Sequence, residues 1–239
     1  MVCLHYFGGS GRAWAQVAAS LGSRWHCVMP DLRGFGDSGP LPAGFTVADA
    51  ADDVLTMMHD LGLQRYTLAG HSMGGKIALA VAARQPPGLA RLVLLAPSPP
   101  TPEPIEAAER ALMLASQSDR EVAERTICQG SAHALPKALL ELAINDQLRA
   151  SPTAWSWWLE QGSKENISGI LAAINVPCQL LVGTQDRRIT EALVRREVMP
   201  YLSKSNLQII EGAAHLLPLE APHAAARALV RAVICMSID

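Results

Sequence analysis

Residues 69–79 read AGHSMGGKIAL, and this stretch indicates how the chain folds. A short β-like run precedes it and a helix-like, alanine-rich run follows it. Between them lies the pattern Gly-x-Ser-x-Gly, formed by Gly70, Ser72 and Gly74. A side chain at the tip of such a tight turn sits on a strained backbone, and the glycines let neighbouring chains approach closely. The stretch predicts a serine Oγ raised above a sheet at the start of a helix, whose N–H groups favour a developing negative charge. The alternative is an ordinary serine-bearing turn.

Short apolar runs alternate with helical patterns along the chain. Continuous apolar strands are typical of a parallel sheet covered on both faces. Because strands and helices alternate, the sequence predicts an α/β protein with a doubly wound, mostly parallel sheet of about six strands. The predicted strands are Val2–Leu4, His26–Met29, Tyr66–Gly70, Arg91–Ala96, Cys178–Gly183 and Asn206–Ile210. The predicted helices between them are Trp14–Leu21, Val47–Leu61, Gly75–Gln85, Glu191–Met199 and His223–Cys235.

One segment, residues 98–176, interrupts this alternation. It opens with a proline cluster and closes before another proline, which separates it from the core formed by residues 1–97 and 177–239. Helical patterns fill it, at Ile105–Ser116, Arg120–Gln129, Pro136–Leu148 and Thr153–Gln161. We expect a helical cap that acts as a lid over the carboxyl edge of the sheet. The alternative is a group of packing helices with no gating role.

A serine hydroxyl is a weak nucleophile unless a base takes its proton, and a histidine held by a carboxylate can serve. Among the seven histidines, His215 lies in a loop just after the last predicted strand, and Asp186 follows the strand before it. Both positions fall at the sheet edge that carries Ser72. The sequence therefore predicts a catalytic set of Ser72, Asp186 and His215. The alternatives are a loop histidine without a role and a surface ion pair between Asp186 and Arg187 or Arg188.

The order serine, aspartate, histidine and four further segments resemble the α/β-hydrolase superfamily, in its small esterase, lactonase and C–C hydrolase branch. Residues 4–10, LHYFGGS, resemble the family's H-G-[FW]-x-x-S segment, and residues 30–38, PDLRGFGDS, resemble its D-x-x-G-x-G-x-S turn. Residues 183–186, GTQD, and 212–215, GAAH, resemble its acid and base loops. The resemblance covers nearly the whole chain outside the insertion. It implies the fold and a hydrolytic activity far more specifically than a substrate.

The resemblance also implies an oxyanion hole. In the family, the backbone N–H two residues after the first-loop histidine serves as a donor, which here is Phe7, and the N–H of Met73 would be the second donor. Tyr6 replaces the usual glycine, so the loop is expected to be tighter or Tyr6 to line the pocket. Ala214 replaces a common glycine before the base.

The N-terminal end departs from the family. Only four residues precede His5, where the family usually carries two antiparallel strands. The resemblance therefore implies that these two strands are missing and that His26–Met29 is an edge strand. Because an uncovered edge is a template for pairing, the hypothesis is that a partner subunit, in a homodimer, or side chains cover it.

Composition narrows the classes of function. The formal net charge is −2, which gives no basic excess for nucleic acid or an anionic membrane, and no apolar run approaches a membrane span. The N-terminus lacks the pattern of a signal peptide. The five cysteines are scattered without paired spacing, so we expect reduced, mostly buried thiols in a cytoplasmic protein, with no metal and no cofactor.

Together these features predict a hydrolase that cleaves small to medium carboxylic esters through an acyl-enzyme on Ser72. The same residues can run C–C bond hydrolysis or lactone opening, and a slow ligand receptor is the alternative from another class. The serine argues against relatives that use aspartate at this position. The residues expected to line the pocket are Tyr6, His71, Trp155, Trp158 and Leu216. The two tryptophans share a helix face and either pack the cap onto the core or line an acyl pocket.

Overall fold

A parallel sheet of five strands forms the centre of the molecule. The computed structural model describes the backbone of residues 1–234 and the side chains of residues 1–231. The strands lie side by side in chain order and all run parallel. They are β1 (Val2–Leu4), β2 (Tyr66–His71), β3 (Leu89–Leu95), β4 (Cys178–Gly183) and β5 (Ser205–Ile210). The predicted doubly wound α/β fold is confirmed.

Ten α-helices accompany the sheet within the described residues. Helix α1 packs against α10 and α2 against α3; α10 contacts β3 and β4, and α3 contacts β1, β2 and β3. Their bounds are α1 (Ala15–Leu21), α2 (Val47–Asp60), α3 (Met73–Ala83), α4 (Ala107–Ala115), α5 (Arg120–Gln129), α6 (Lys137–Arg149), α7 (Pro152–Glu160), α8 (Glu191–Glu197), α9 (Leu217–Glu220) and α10 (Pro222–Ile234). Cys235, the predicted last residue of the final helix, lies outside the described residues.

The predicted strand at His26–Met29 is wrong as a strand. It pairs with β1 through a single bridge between Val2 and Val28, so the described sheet has five strands and not about six. The physical reason is local. Strand β1 is only three residues long, and Pro30 ends the segment without an N–H to donate. The homodimer across this edge stays a prediction.

Four helices, α4 to α7, lie between β3 and β4, inside the predicted cap. Helix α4 contacts α7, and α5 contacts α6. A small apolar cluster joins α5 and α6 to the loops that follow β1 and β5. Its buried members are Tyr6, Ala13, Ala123, Ile127, Ala143, Ile144, Leu216 and Leu219. The bounds 98–176 and the gating role stay predictions.

The described cysteines are all free thiols. Cys3 and Cys178 are buried, and burial raises the pKa of each thiol to about 12. Cys27 is half-buried, whereas Cys128 on α5 is exposed, which the expectation of mostly buried thiols did not anticipate. Among the described helices, none combines the length and the apolar character needed to cross a membrane.

Candidate active site

Ser72 lies between β2 and α3 on a strained backbone. Its φ is 53° and its ψ is −117°, in the region that residues with a Cβ rarely adopt. The flanking glycines are required because a Cβ at Gly70 would overlap the carbonyl of Gly74, and a Cβ at Gly74 would overlap the carbonyls of Leu4 and His5. The predicted strand-to-helix turn is therefore present, and the glycines allow α3 to start against β1 and β2.

A continuous hydrogen-bonded line joins Ser72 to His215 and Asp186. The distance from Ser72 Oγ to His215 Nε2 is 3.0 Å, and that from His215 Nδ1 to Asp186 Oδ2 is 2.8 Å. All three residues are at least nine-tenths buried. Because an ionised carboxylate can only accept, Nδ1–H donates to Asp186, and the free Nε2 accepts from the serine hydroxyl. The structure thus brings together the three residues that the sequence predicts as a catalytic set.

Asp186 is held as an anion. Burial acts to raise the pKa of the carboxyl, but the neighbouring His215 ring and the N–H groups of Arg188 and Ile189 outweigh it and leave the pKa below its ordinary value. Both N–H groups donate to Oδ1 at 2.8 Å. Arg188 pairs with Glu109 instead, and Arg187 has no ion pair among the described residues. Asp186 therefore forms no surface ion pair with its neighbouring arginines, and that alternative is wrong.

The loop that carries His215 is fastened from two directions. His71 donates Nε2–H to the carbonyl of His215 at 2.8 Å. The N–H groups of His215 and Leu216 donate to the carbonyl of Gly130, at the end of α5, at 2.9 and 3.0 Å. Glu220 accepts from the N–H groups of the loops on both sides, at Ala132 and Ala214. The inserted helices therefore help to place the histidine.

His71 was expected to line the pocket, and the structure places it elsewhere. Its side chain is fully buried behind His215, with no partner for Nδ1 among the described residues. Burial, together with the neighbouring His215, lowers the pKa of His71 to about 3. A neutral ring with Nε2–H is therefore the form that supports the loop.

The two backbone N–H groups that are predicted to bind an oxyanion are free to donate to a ligand. Among the hydrogen bonds of the described residues, neither the N–H of Phe7 nor that of Met73 has an acceptor. His5 fixes the loop of Phe7, because Nδ1–H donates to the carbonyl of Tyr6 at 2.8 Å and Nε2 accepts from the N–H of Leu32 at 3.0 Å. Their role as an oxyanion hole stays a prediction.

Comparison with known proteins identifies the family. The α/β hydrolase fold family matches residues 1–127, which is more than half of the chain. The chain belongs to this family. RutD of Yersinia enterocolitica, whose name assigns it provisionally to the carbamate hydrolases, is 37% identical over 89 residues, 37% of this chain and 32% of RutD. RutD of Caulobacter vibrioides is 42% identical over 89 residues, 37% of this chain and 33% of RutD. The aligned part spans about a third of the length of these curated relatives.

Solved structures of the α/β-hydrolase family share the fold more widely. An esterase from Exiguobacterium antarcticum superimposes with a TM-score of 0.87 at 20% identity, over 97% of this chain and 90% of the esterase. The enol-lactonase from Burkholderia xenovorans gives a TM-score of 0.83 at 21% identity, over 97% of this chain and 90% of the lactonase. At such identities the likeness concerns the fold alone.

A cavity of about 1020 Å³ opens above Ser72, which is large enough for a small organic substrate. Four of the five predicted pocket residues, Tyr6, Trp155, Trp158 and Leu216, line it, as does Phe7. Sequence reasoning missed Glu103 and Gln147, which also line it. Nothing in their local sequence marks them. Among the described residues, no group of three or more His, Cys, Asp or Glu side chains is placed to hold a metal ion.

The tryptophans of α7 both pack and line the cavity. Trp155 stacks on Phe7 with ring centroids 4.3 Å apart, and its Nε1–H donates to the carbonyl of Met113 at 2.8 Å. The ring centroids of Trp158 and Phe7 are 6.3 Å apart. The two alternatives drawn from their spacing are therefore not exclusive, since one aromatic face closes the cavity and joins α7 to the loop of Phe7.

Proposed function

We propose that this member of the α/β hydrolase family cleaves small to medium carboxylic esters through an acyl-enzyme on Ser72. The observation that carries the proposal is the line from Ser72 through His215 to an ionised Asp186, at the base of a cavity lined by aromatic residues. The family, the strained serine and the two unpaired N–H groups support the same chemistry.

In the acylation step, His215 Nε2 takes the hydroxyl proton as Ser72 Oγ forms a bond to the ester carbonyl carbon. The carbonyl oxygen becomes an oxyanion that the N–H groups of Phe7 and Met73 would hold. When the tetrahedral intermediate collapses, the bond to the alcohol oxygen breaks and His215 returns the proton to that oxygen. Asp186 keeps the imidazolium oriented and stabilised, and remains an anion throughout.

In the deacylation step, His215 takes a proton from water, whose oxygen attacks the acyl carbon. The oxyanion of this second tetrahedral intermediate would accept hydrogen bonds from the same two N–H groups. Its collapse breaks the bond to Ser72 Oγ, which recovers its proton from His215, and a carboxylic acid leaves. Apart from the ester and the water molecule, every group that takes part in these two steps belongs to this chain.

A second candidate is the cleavage of a related acyl compound, such as a carbamate or a lactone. The names of RutD and of the enol-lactonase favour it. The steps above apply to both: in a carbamate the carbonyl carbon carries a nitrogen, and in a lactone the alcohol oxygen that His215 protonates stays joined to the acyl chain. C–C bond hydrolysis with the same residues remains a further alternative, and so does a slow receptor of this fold, which would bind a ligand and a partner with negligible turnover.

The test is hydrolysis of p-nitrophenyl acetate, butyrate and octanoate by the wild type and by Ser72→Ala. We expect turnover by the wild type and a loss of about 10⁴-fold or more in the variant, because the nucleophile is gone. Ser20→Ala, which removes a half-buried serine on α1 outside the cavity lining, should leave turnover unchanged. Equal turnover in wild type and Ser72→Ala would refute the assignment of the nucleophile. Absent turnover in both would favour one of the alternatives.

A further inference from the structure

One buried side-chain amide lines the cavity without a hydrogen-bond partner among the described residues. Within the described residues, five polar side chains that are at least nine-tenths buried line the cavity: Ser72, Glu103, Gln147, Asp186 and His215. Three of them form the line described above. Glu103 accepts from the Ser98 hydroxyl at 2.5 Å. Among these five, only the side chain of Gln147 makes no hydrogen bond with the described protein groups; the hydroxyl of Tyr6, which also lines the cavity, has no partner either, but it is closed off from solvent. The amide atoms of Gln147 are not closed off in this way, so a molecule bound in the cavity can hydrogen-bond with them.

Gln147 is held firmly in place. It lies on α6, which is fastened to the loop after β1 because Asp146 accepts from the hydroxyl of Ser10 at 2.5 Å and pairs with Arg12. The side-chain carbons of Gln147 pack against Gly8, where an added Cβ would lie 3.5 Å from Gln147 Cγ. The amide is thus presented beside the loop of Phe7 by a fixed helix, as a substrate-binding group should be.

The order of the strands indicates which part of a substrate reaches Gln147. Ser72 follows β2, the loop of Phe7 and Gly8 follows β1, and His215 follows β5 on the other side. The leaving-group oxygen must lie near His215, which protonates it. The acyl chain therefore extends away from His215, towards the β1 side, where Gln147 lies.

We propose that Gln147 determines specificity by hydrogen-bonding a polar group of the acyl chain. This inference rests on the proposed function and adds a substrate class to it. A side-chain amide offers N–H donors and a carbonyl acceptor, so a secondary amide in the acyl chain matches it best. Phe7, Trp155 and Trp158 surround this part of the cavity with apolar surface, and a lone polar group among them distinguishes polar from apolar chains of equal shape.

The experiment compares two esters of equal shape. The acyl chain of p-nitrophenyl N-acetylglycinate carries a secondary amide, and that of p-nitrophenyl 4-methylpentanoate replaces the amide with carbon. In Gln147→Met, we expect kcat/KM for the amide ester, divided by that for the carbon ester, to fall about tenfold to a hundredfold from its wild-type value. Asn145→Met removes an exposed amide from the same helix and should leave the ratio unchanged. An equal loss for both esters, or an unchanged ratio, would overturn the proposal.

A second variant and a binding measurement separate the possible failures. Gln147→Glu keeps the size of the side chain and an acceptor but loses the donor, so the ratio should fall there too, even if Gln147→Met does not fold. If the wild type hydrolyses neither ester, calorimetric binding of N-acetylglycine methyl ester is compared in Ser72→Ala and Ser72→Ala/Gln147→Met. Binding that weakens at least tenfold in the double variant supports Gln147 although ester hydrolysis fails. Equal or absent binding overturns the role of Gln147.

Discussion

Asp186 uses its two carboxylate oxygens for different contacts. Oδ2 accepts from His215, while Oδ1 accepts from the N–H groups of Arg188 and Ile189. The two hydrogen bonds to Oδ1 fix the carboxylate to the loop after β4. This loop therefore sets the direction of the hydrogen bond between Oδ2 and His215. His215 therefore has one orientation and one tautomer available in the folded protein.

Replacing Asp186 with asparagine tests this role. In Asp186→Asn, Oδ1 can still accept from the two N–H groups, so the fold should hold. The new amide cannot stabilise an imidazolium, and it favours the wrong tautomer of His215. We expect kcat for p-nitrophenyl butyrate to fall about 10⁴-fold. Asp52→Asn, which removes an exposed carboxylate, should leave kcat unchanged. A loss of less than tenfold in Asp186→Asn would contradict the assignment.

The residues that follow strands could be predicted, and those placed by tertiary packing could not. Ser72, Asp186 and His215 each come directly after an apolar run, and parallel strands bring their carboxyl ends to one edge. Gln147 has no such signal, because its burial depends on how α6 docks against Gly8. The support that His71 gives to His215 likewise depends on a contact between distant parts of the chain.

Lys76, on the first turns of α3, fastens both ends of the inserted helices. Its side chain is fully buried, and Nζ donates to the carbonyls of Thr101 at 3.3 Å, Ser163 at 3.4 Å and Glu165 at 2.5 Å. Thr101 precedes α4, and the other two carbonyls follow α7. Burial lowers the pKa of Lys76 to about 8, although Glu103 and Glu165 act in the opposite direction.

Lys76→Met should loosen these two junctions. Three carbonyls lose a donor, so we expect the free energy of unfolding to fall by about 2 kcal/mol at pH 7. The pKa of Lys76 is 10.5 in the unfolded chain and about 8 in the folded one, so the unfolded chain binds more protons between these values. The stability of the wild type relative to the variant should therefore rise between pH 8 and 10.5, by as much as roughly 3 kcal/mol.

Urea unfolding at pH 7, 8.5 and 10 measures both effects. Lys164→Met, which removes an exposed lysine beside the same junction, should differ from the wild type by a constant, small amount. A difference between wild type and Lys76→Met that shrinks as the pH rises would show that Lys76 is not the titrating group.

Elements with continuous apolar runs were predicted well. Strands β1, β2, β4 and β5 lie where the sequence places them, and the core helices agree within about two residues where they are described. The segment at His26–Met29 has the same apolar character, yet it forms one bridge. A strand depends on its neighbour's length as well as on its own composition, and β1 offers too few residues to pair with it.

The whole fold brings the candidate site together from distant parts of the chain. The loops after β1, β2, β4 and β5 meet at one edge of the sheet, and the helices between β3 and β4 close the cavity above them. Two histidines inside this assembly, His5 and His71, support the loops of Phe7 and His215. Burial is the main cause that lowers the pKa of His5 to about 4 and that of His71 to about 3, from 6.5.

The assembly should therefore lose stability in mild acid. Below pH 6.5 the unfolded chain binds protons on both histidines while the folded chain keeps them neutral, so the free energy of unfolding falls as the pH falls. The nearby carboxylates make the lowering of the two pKa values smaller, because Asp31 raises the pKa of His5 and Asp186 raises that of His71. His215 lowers the pKa of His71 further. Between pH 7.5 and 5 we expect a loss of roughly 2 kcal/mol for each histidine.

Urea unfolding at pH 7.5, 6 and 5 gives the measurement, with His71→Gln as the variant. Glutamine can still donate to the carbonyl of His215 but does not titrate, so the loss between pH 7.5 and 5 should shrink by roughly 2 kcal/mol. His59→Gln, at an exposed histidine, should retain the full loss. If His71→Gln loses as much stability as the wild type over this range, another group causes the acid sensitivity, and the neutral form of His71 is not what holds the loop of His215.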